Sequence, residues 1–281
     1  MNKRQNIIQK IDEIESIPPA ISRVQQMVAD PDVNFKELAD YIKYDQGLTA
    51  DVLKMANSAY FGFTKEISSV KQAIVRLGLN RIFELTMSSA VAPIIKKEIK
   101  GYDLSKGDLW KHSIGVAISA EKIAEFLGIK VPRYTFTAGL LIDIGKVAIS
   151  TFLDLSPEPV MKLAYQKKIP FNIAERRTFG ISHEEAGAIL MEKWNLPDEL
   201  IEVVRWHHQP NRIEGDRTVA DLVHIADILI METGIGGGSD GLNYKSCKDS
   251  VERLNFDKIN EEDLIMNIIS DIQEVSSKLL S

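Results

Sequence analysis

The sequence predicts an all-α protein, on three observations. Apolar residues recur at helical spacing almost throughout, N-cap residues punctuate that rhythm, and no stretch alternates as a half-buried strand would. Asn34 followed by Glu37 resembles a capping box ahead of Leu38 and Ile42, and Asp45 is placed to cap a helix carrying Leu48, Val52, Leu53 and Ala56. Two short helices therefore precede Asn57. Ser68 or Ser69 opens the next, in which Val70, Ala73, Ile74 and Leu77 share a face until Gly78 supplies a stop. Asn80 starts another, through Ile82, Leu85 and Val91 towards Pro93. Lys96 to Lys106 is charged and contains glycine, and reads as a linker between two halves.

The second half opens with a long helix from about Asp108 to Leu127, ended by Gly128, and a second runs through Thr137 to Phe152. Ser182 with Glu185 forms a stronger capping box, beginning a helix that reaches Trp194 before Pro197. Asp198 to His208 is the next helix, stopped by Pro210, and Arg217 to Thr233 follows, ended by Gly234. The run G-I-G-G-G-S-D-G, Gly234 to Gly241, follows a helix, whereas phosphate cradles follow a strand; a flexible linker is the better reading. From Asn260 to Leu280 a last amphipathic helix carries Leu264, Ile268, Ile272, Val275 and Leu279. The expected organisation is a helical half over 1–100, a second over 101–235, and a Gly-rich linker with a terminal helix over 236–281.

Composition narrows the function classes. A net charge of −6 with 26% charged residues gives no global attraction to nucleic acid or anionic lipid. The most apolar stretches, Gly139 to Ile149 and Leu222 to Met231, are broken by Asp143, Lys146 and Asp227 far short of the ~20 residues that cross a bilayer. The first residues hold no uninterrupted apolar run, so no secretory signal is expected. Cys247 is the single cysteine, which excludes an intrachain disulfide and points to a reducing cytoplasm.

The chemistry lies in the second half. All five histidines, His112, His183, His207, His208 and His224, follow residue 111, and Asp143 and Asp227 sit in apolar helices where a bare carboxylate costs several kcal/mol to bury. Histidine partners, a lysine or arginine, or a divalent metal would each neutralise them, and a bundle core allows all three. On a helix His207 and His208 point about 100° apart, which suits two metals, or one ligand beside one supporting group. His224 lies one turn before Asp227 and reads as a structural partner, and Lys146 pairs with a carboxylate or lies on the surface.

The run G-L-L-I-D-I-G-K, Gly139 to Lys146, resembles the G-L-L-H-D-I-G-K signature of the HD phosphohydrolase superfamily, with Ile142 where the signature places histidine. His112, Asp143, His183, His207, His208 and Asp227 follow the order and approximate spacing of metal ligands in its HD-GYP-like branch. In the first half, I-P-P-A at Ile17 to Ala20, the D-P-D segment, A-N-S-A-Y-F-G from Ala56 to Gly62, and the run from Ile67 to Ile82 resemble the HDOD family, an HD-related output domain; the likeness covers about Glu15 to Asp227. It implies a multi-helical HD-domain-like bundle preceded by a smaller helical subdomain, cytoplasmic and bacterial, serving signalling without catalysis.

On that resemblance the six residues are expected as metal ligands, for iron, manganese or zinc, or as a metal-free hydrogen-bonded network around the two aspartates. An isoleucine has no lone pair, so hydrolysis is expected to fail even where metal binds. The expected function is a regulatory module that binds a protein partner, with a small nucleotide as a conceivable ligand. The rivals are a residual phosphohydrolase acting on a nucleotide or cyclic dinucleotide, and a DNA-binding regulator using the 68–95 helical hairpin. That hairpin offers few base-reading side chains at Asn80, Arg81 and Glu84, so nucleic acid is not expected. Tyr60, Phe61 and Phe63 read as core anchors, and Trp110 and Trp194 as core or rim residues.

Overall fold

The computed structural model describes residues 3–14, 16–30, 32–132, 134–153, 158–241 and 243–280. Glu15, Pro31 of the D-P-D segment and the side chain of Leu279 lie outside the described residues. Helices make up the fold, and the described residues contain no strand, only an isolated antiparallel bridge between Ile99 and Leu104. No helix among them is long and apolar enough to cross a membrane.

The chain divides into two compact units. One comprises Ile17–Pro93 with Ile269–Ser281, the other Met1–Ser16 with Ile94–Ile268. The helices are α1 (Lys3–Glu13), α2 (Pro19–Ala29), α3 (Phe35–Lys43), α4 (Gln46–Ala56), α5 (Val70–Ile95), α6 (Asp108–Phe126), α7 (Thr135–Leu141), α8 (Gly145–Leu153), α9 (Glu158–Lys167), α10 (Phe171–Phe179), α11 (His183–Lys193), α12 (Asp198–Trp206), α13 (Thr218–Thr233), α14 (Lys248–Leu254) and α15 (Glu261–Leu280).

In the smaller unit the expected caps form. Asn34 accepts from the amides of Lys36 and Glu37, Asp45 from Leu48, and Ser69 from Gln72. Gly78, at φ 81° and ψ 168°, interrupts α5 as its sequence position suggests, and the helix runs two residues past Pro93. Asn57 ties the end of α4 to the next segment, donating to Leu53 and Ile67 and accepting from the Ile67 amide. The aromatic turn departs from expectation: Phe63 is 37% exposed, and the Arg76 and Arg81 guanidinium groups lie over Phe63 and over Tyr60 and Phe61. These rings form a cation-π surface cluster instead of core anchors.

The larger unit holds the histidines. Here α6 packs between α7 and α13, α8 lies against α11, and α11 against α12. Helix α1 joins this unit by seating Ile7 and Ile11 against α8 and α11, and Lys193 donates to the carbonyls of Ile11, Asp12 and Ile14 at its end. Trp110 and Trp194 are buried as expected.

Four local expectations are corrected. The single helix read over Thr137 to Phe152 breaks into α7 and α8, because Ile144, Lys146 and Val147 bond to carbonyls three residues back and tighten the chain into a turn. Asp143 therefore lies in a buried turn rather than within a helix. His207 and His208 lie beyond the last turn of α12, so their rings are set by a turn and not by helical spacing. Ser182 caps α11 by position but makes no side-chain cap bond; its hydroxyl accepts from Arg176, and Glu185 pairs with Arg4 at 2.7 Å. Lys96 to Lys106 is not a bare linker, since Tyr102 within it is fully buried.

Candidate functional site

The larger unit gathers all six sequence-selected residues in one buried cluster. His112 comes from the second turn of α6, Asp227 from α13, Asp143 from the α7–α8 turn, His183 from the first residue of α11, and His207 and His208 from the turn after α12. The backbones come close enough for this because of two glycines. A Cβ on Gly139 would meet the Ala117 backbone at 2.7 Å, and one on Gly145 would lie 2.0 Å from the His183 carbonyl oxygen.

His112 Nε2 lies 2.9 Å from Asp227 Oδ1 and 3.3 Å from Asp143 Oδ2. Lys146 Nζ donates to the same Asp143 oxygen at 2.7 Å and reaches Asp240 at 2.5 Å. His183 Nε2 is 3.6 Å from Asp143 Oδ1 and 3.1 Å from His208 Nε2. Its other edge belongs to Glu175, whose Oε2 takes both the His183 amide and the ring Nδ1 at 2.8 Å, while Oε1 accepts from Tyr102 at 2.5 Å. His207 Nδ1 donates to the Val204 carbonyl at 2.7 Å. Among the described residues no partner meets His207 Nε2, His208 Nδ1 or Asp227 Oδ2, all buried. His208 Nδ1 and Asp227 Oδ2 are 3.7 Å apart, too long for a hydrogen bond. His224 acts as the structural partner expected, donating to the His207 carbonyl and accepting from the Cys247 amide.

The electrostatics follow from burial and pairing. Burial works to raise Asp143, but the Lys146 charge, aided by His112 and His183, holds its carboxyl well below the usual carboxylate range. Burial opposes the charge on Lys146, yet Asp143 and Asp240 keep it protonated. Burial also lowers His183, but Glu175 outweighs it by charge and hydrogen bond and raises the imidazole to about 9. His112 is raised as well, Asp227 and Asp143 overcoming its burial. Burial and the neighbouring imidazoles push His207 down and His208 further down.

Sequence reasoning missed Tyr102, Glu175, Asp240 and Tyr244. The Gly234 to Gly241 run is seated on the site: a Cβ on Gly236 would lie 2.3 Å from the Asp108 carbonyl and 2.7 Å from the His112 amide, and one on Gly238 2.4 Å from the Tyr102 carbonyl. This corrects the flexible linker, and delivers Asp240 to Lys146. Tyr244 stacks on His208 with centroids 4.2 Å apart, beside a cavity of about 330 Å³ lined in part by Lys168, Asn172, Gln209 and Lys245. An aspartate after four glycines was a detectable signal; Glu175 and Tyr102 carried none, being ordinary residues placed by packing.

The donors could hold a metal ion in three groups whose ligand atoms lie within 4.8 Å of one another: His183 with His207 and His208, His112 with Asp143 and Asp227, and Glu175 with His183 and Glu184. His183 and His207 each have Nδ1 anchored, by the Glu175 carboxylate and the Val204 carbonyl, as metal-binding histidines usually are.

The profile of the HDOD domain matches residues 14–210. An uncharacterised protein of Treponema pallidum is 27% identical over 230 residues, which are 80% of this chain and 44% of that protein, so the chain spans less than half of that curated relative's length. An HDOD domain protein of unknown function from Geobacter sulfurreducens superposes with a TM-score of 0.76 at 28% identity, covering 98% of this chain and 96% of the other. A Shewanella amazonensis protein provisionally named a phosphohydrolase gives 0.72 at 25% identity, with 97% of each chain covered. A profile match over more than half of the sequence, on a helical fold with these relatives, places the chain in the HDOD domain family.

Proposed function

We propose that this chain is a non-catalytic regulatory module of bacterial signalling, acting in the cytoplasm by binding a protein partner, with a degenerate HD centre that holds a transition metal. One observation carries the absence of catalysis. The Asp143 carboxylate is tied to a buried ammonium at 2.7 Å, while Ile142, fully buried beside it, offers no lone pair where the HD signature has an imidazole. The aliphatic side chain takes the place of a ligand to the ion that would activate a water.

The donor set fits a metal, since His207 Nε2 and His208 Nδ1 are buried without partners among the described residues, the latter 3.7 Å from Asp227 Oδ2. Iron, manganese or zinc suits such nitrogen and oxygen ligands, with His112, Asp143, His183, His207, His208 and Asp227 as the residues that would hold it. A bound ion would supply charge and a coordination position for a small ligand, of which a nucleotide is one. This chain's own residues orient the donors: Glu175 and the Val204 carbonyl fix two rings, and Lys146 balances the acid side.

The second reading, a residual phosphohydrolase, draws on the same cluster and on the likeness to the Shewanella protein. Elemental analysis of protein purified without chelator, with a chromatographic screen for phosphate released from nucleotides and for linear products of cyclic dinucleotides, separates the two. The expected outcome is metal without turnover. Turnover abolished by Asp143→Ala would overturn the regulatory reading. Ile142→His is expected to raise metal occupancy, and unchanged content would count against convergence of these ligands on an ion.

A further inference from the structure

The six donors divide by chemistry into an all-imidazole group, His183, His207 and His208, and an acid group, His112, Asp143 and Asp227. Building on the metal-holding reading above, we propose that the centre takes one transition-metal ion, on the imidazoles of His183, His207 and His208. Lys146, held by Asp240, serves the acid group as its permanent cation in place of a second ion.

Hydrogen bonding decides which ring nitrogens are open. The Val204 carbonyl can only accept, so His207 Nδ1 carries the proton and Nε2, buried and without a partner, is turned inward. Glu175 accepts from His183 Nδ1 and takes the His183 amide as well, which fixes that ring with Nε2 pointing at His208. The two Nε2 atoms are 3.1 Å apart. Imidazoles bound to a common ion at about 2.0–2.1 Å and a tetrahedral angle have nitrogens about 3.3 Å apart, so a small movement seats one ion between them.

The acid group is occupied differently. Asp143 Oδ2 already receives Lys146 and lies 3.3 Å from His112, so an ion at that oxygen would meet an ammonium. Lys146 cannot leave easily: it and both aspartates are buried, and Asp240 holds it from the far side at 2.5 Å. Asp240 in turn is fixed by a loop whose glycines fit against Asp108, His112 and Tyr102 with no room for a Cβ. That loop lies beyond the matched HDOD residues, 14–210. Ile142, adjoining Asp143, adds no donor to the acid side.

The test is zinc stoichiometry and ligand type on the full chain, after loading with zinc and removal of excess. Wild type is expected to hold one zinc per chain, with an X-ray absorption spectrum dominated by imidazole nitrogen. His207→Ala should lose that ion. Lys146→Met combined with Asp240→Leu, which removes the ammonium and its outer carboxylate together, should raise stoichiometry towards two. Two ions in wild type, a carboxylate-dominated spectrum, or retention of the ion by His207→Ala would overturn the division; so would a folded double variant that still holds one. The wild-type spectrum decides the matter even where a variant fails to fold. No zinc at all would instead sink the metal-holding reading, and phosphoester turnover the non-catalytic one.

Discussion

Replacing Gly145 with alanine tests the closest helix approach in the larger unit. The new Cβ would lie 2.0 Å from the His183 carbonyl oxygen, 2.4 Å from the Gly187 amide nitrogen and 2.9 Å from its Cα. Ordinary contact begins at 3.4 Å, so the starts of α8 and α11 must part by roughly 1.4 Å. The obstructing atoms are backbone, and no rotamer change relieves them. Overpacking typically costs about 1–3 kcal/mol, and a rigid obstruction places this variant at about 3. A gap of 0.5–1 Å already gives up about a quarter to a half of each dispersion contact it opens. For a chain of this size the melting temperature should fall by roughly 6–12 °C, followed by circular dichroism. Gly47→Ala is the control: it lies in α4, its Cβ would sit 3.5 Å from Asp45 Oδ1, and it should be neutral or stabilising by about 0.4–1 kcal/mol. A Gly145→Ala protein that melts within about 1 °C of wild type would refute the tight α8–α11 contact, and with it the positioning of His183 beside Asp143.

Asn57→Ala removes three side-chain hydrogen bonds, two joining the end of α4 to Ile67 and one to Leu53, and should cost about 2–3 kcal/mol by chemical denaturation; an unmoved midpoint would show those bonds to be energetically idle. Asn34→Ala deletes the cap of α3 and should cost about 1 kcal/mol in the same assay. Tyr102→Phe strands a buried Glu175 oxygen, with an expected loss of about 1–3 kcal/mol and a shifted His183 ring resonance; an unchanged resonance would uncouple the two residues. Burial raises the Glu184 carboxyl, but His183 and His207, with bonds from Ser182 and Asn172, outweigh it and lower its pKa. Its stabilisation is therefore full above its ordinary value of 4.5 and fades as pH falls, so Glu184→Gln should flatten the acid limb of a stability–pH profile.

The parts of the fold legible in the sequence are those set within a few residues. The caps at Asn34, Asp45 and Ser69 and the left-handed glycines at Gly128 and Gly234 mark ends that the structure keeps. Helices α1, α2, α9, α10 and α14 were not read from the sequence, so four helices and not the expected two precede Asn57. The Ser182 capping box failed because Arg4 and Arg176, remote or on another helix, compete for its two side chains. Within the site the six selected residues were legible as a set, by residue type and by resemblance. Glu175, Tyr102 and Asp240 were not, since a lone acid or tyrosine gains meaning only from the atom it faces.

The sequence by itself determined that this protein is helical, that its polar chemistry is concentrated after residue 111, and that an aliphatic side chain stands at position 142 of a phosphohydrolase-like signature. Only the tertiary structure decided that Asp143 answers to Lys146, that Asp240 returns from a glycine run to hold that lysine, and that His183 leans on Glu175. The reason is range. Helix caps and apolar rhythm act over three or four residues and leave their mark in the string of letters. A hydrogen bond such as that between His112 and Asp227, across 115 positions, exists because packed helices bring the two together.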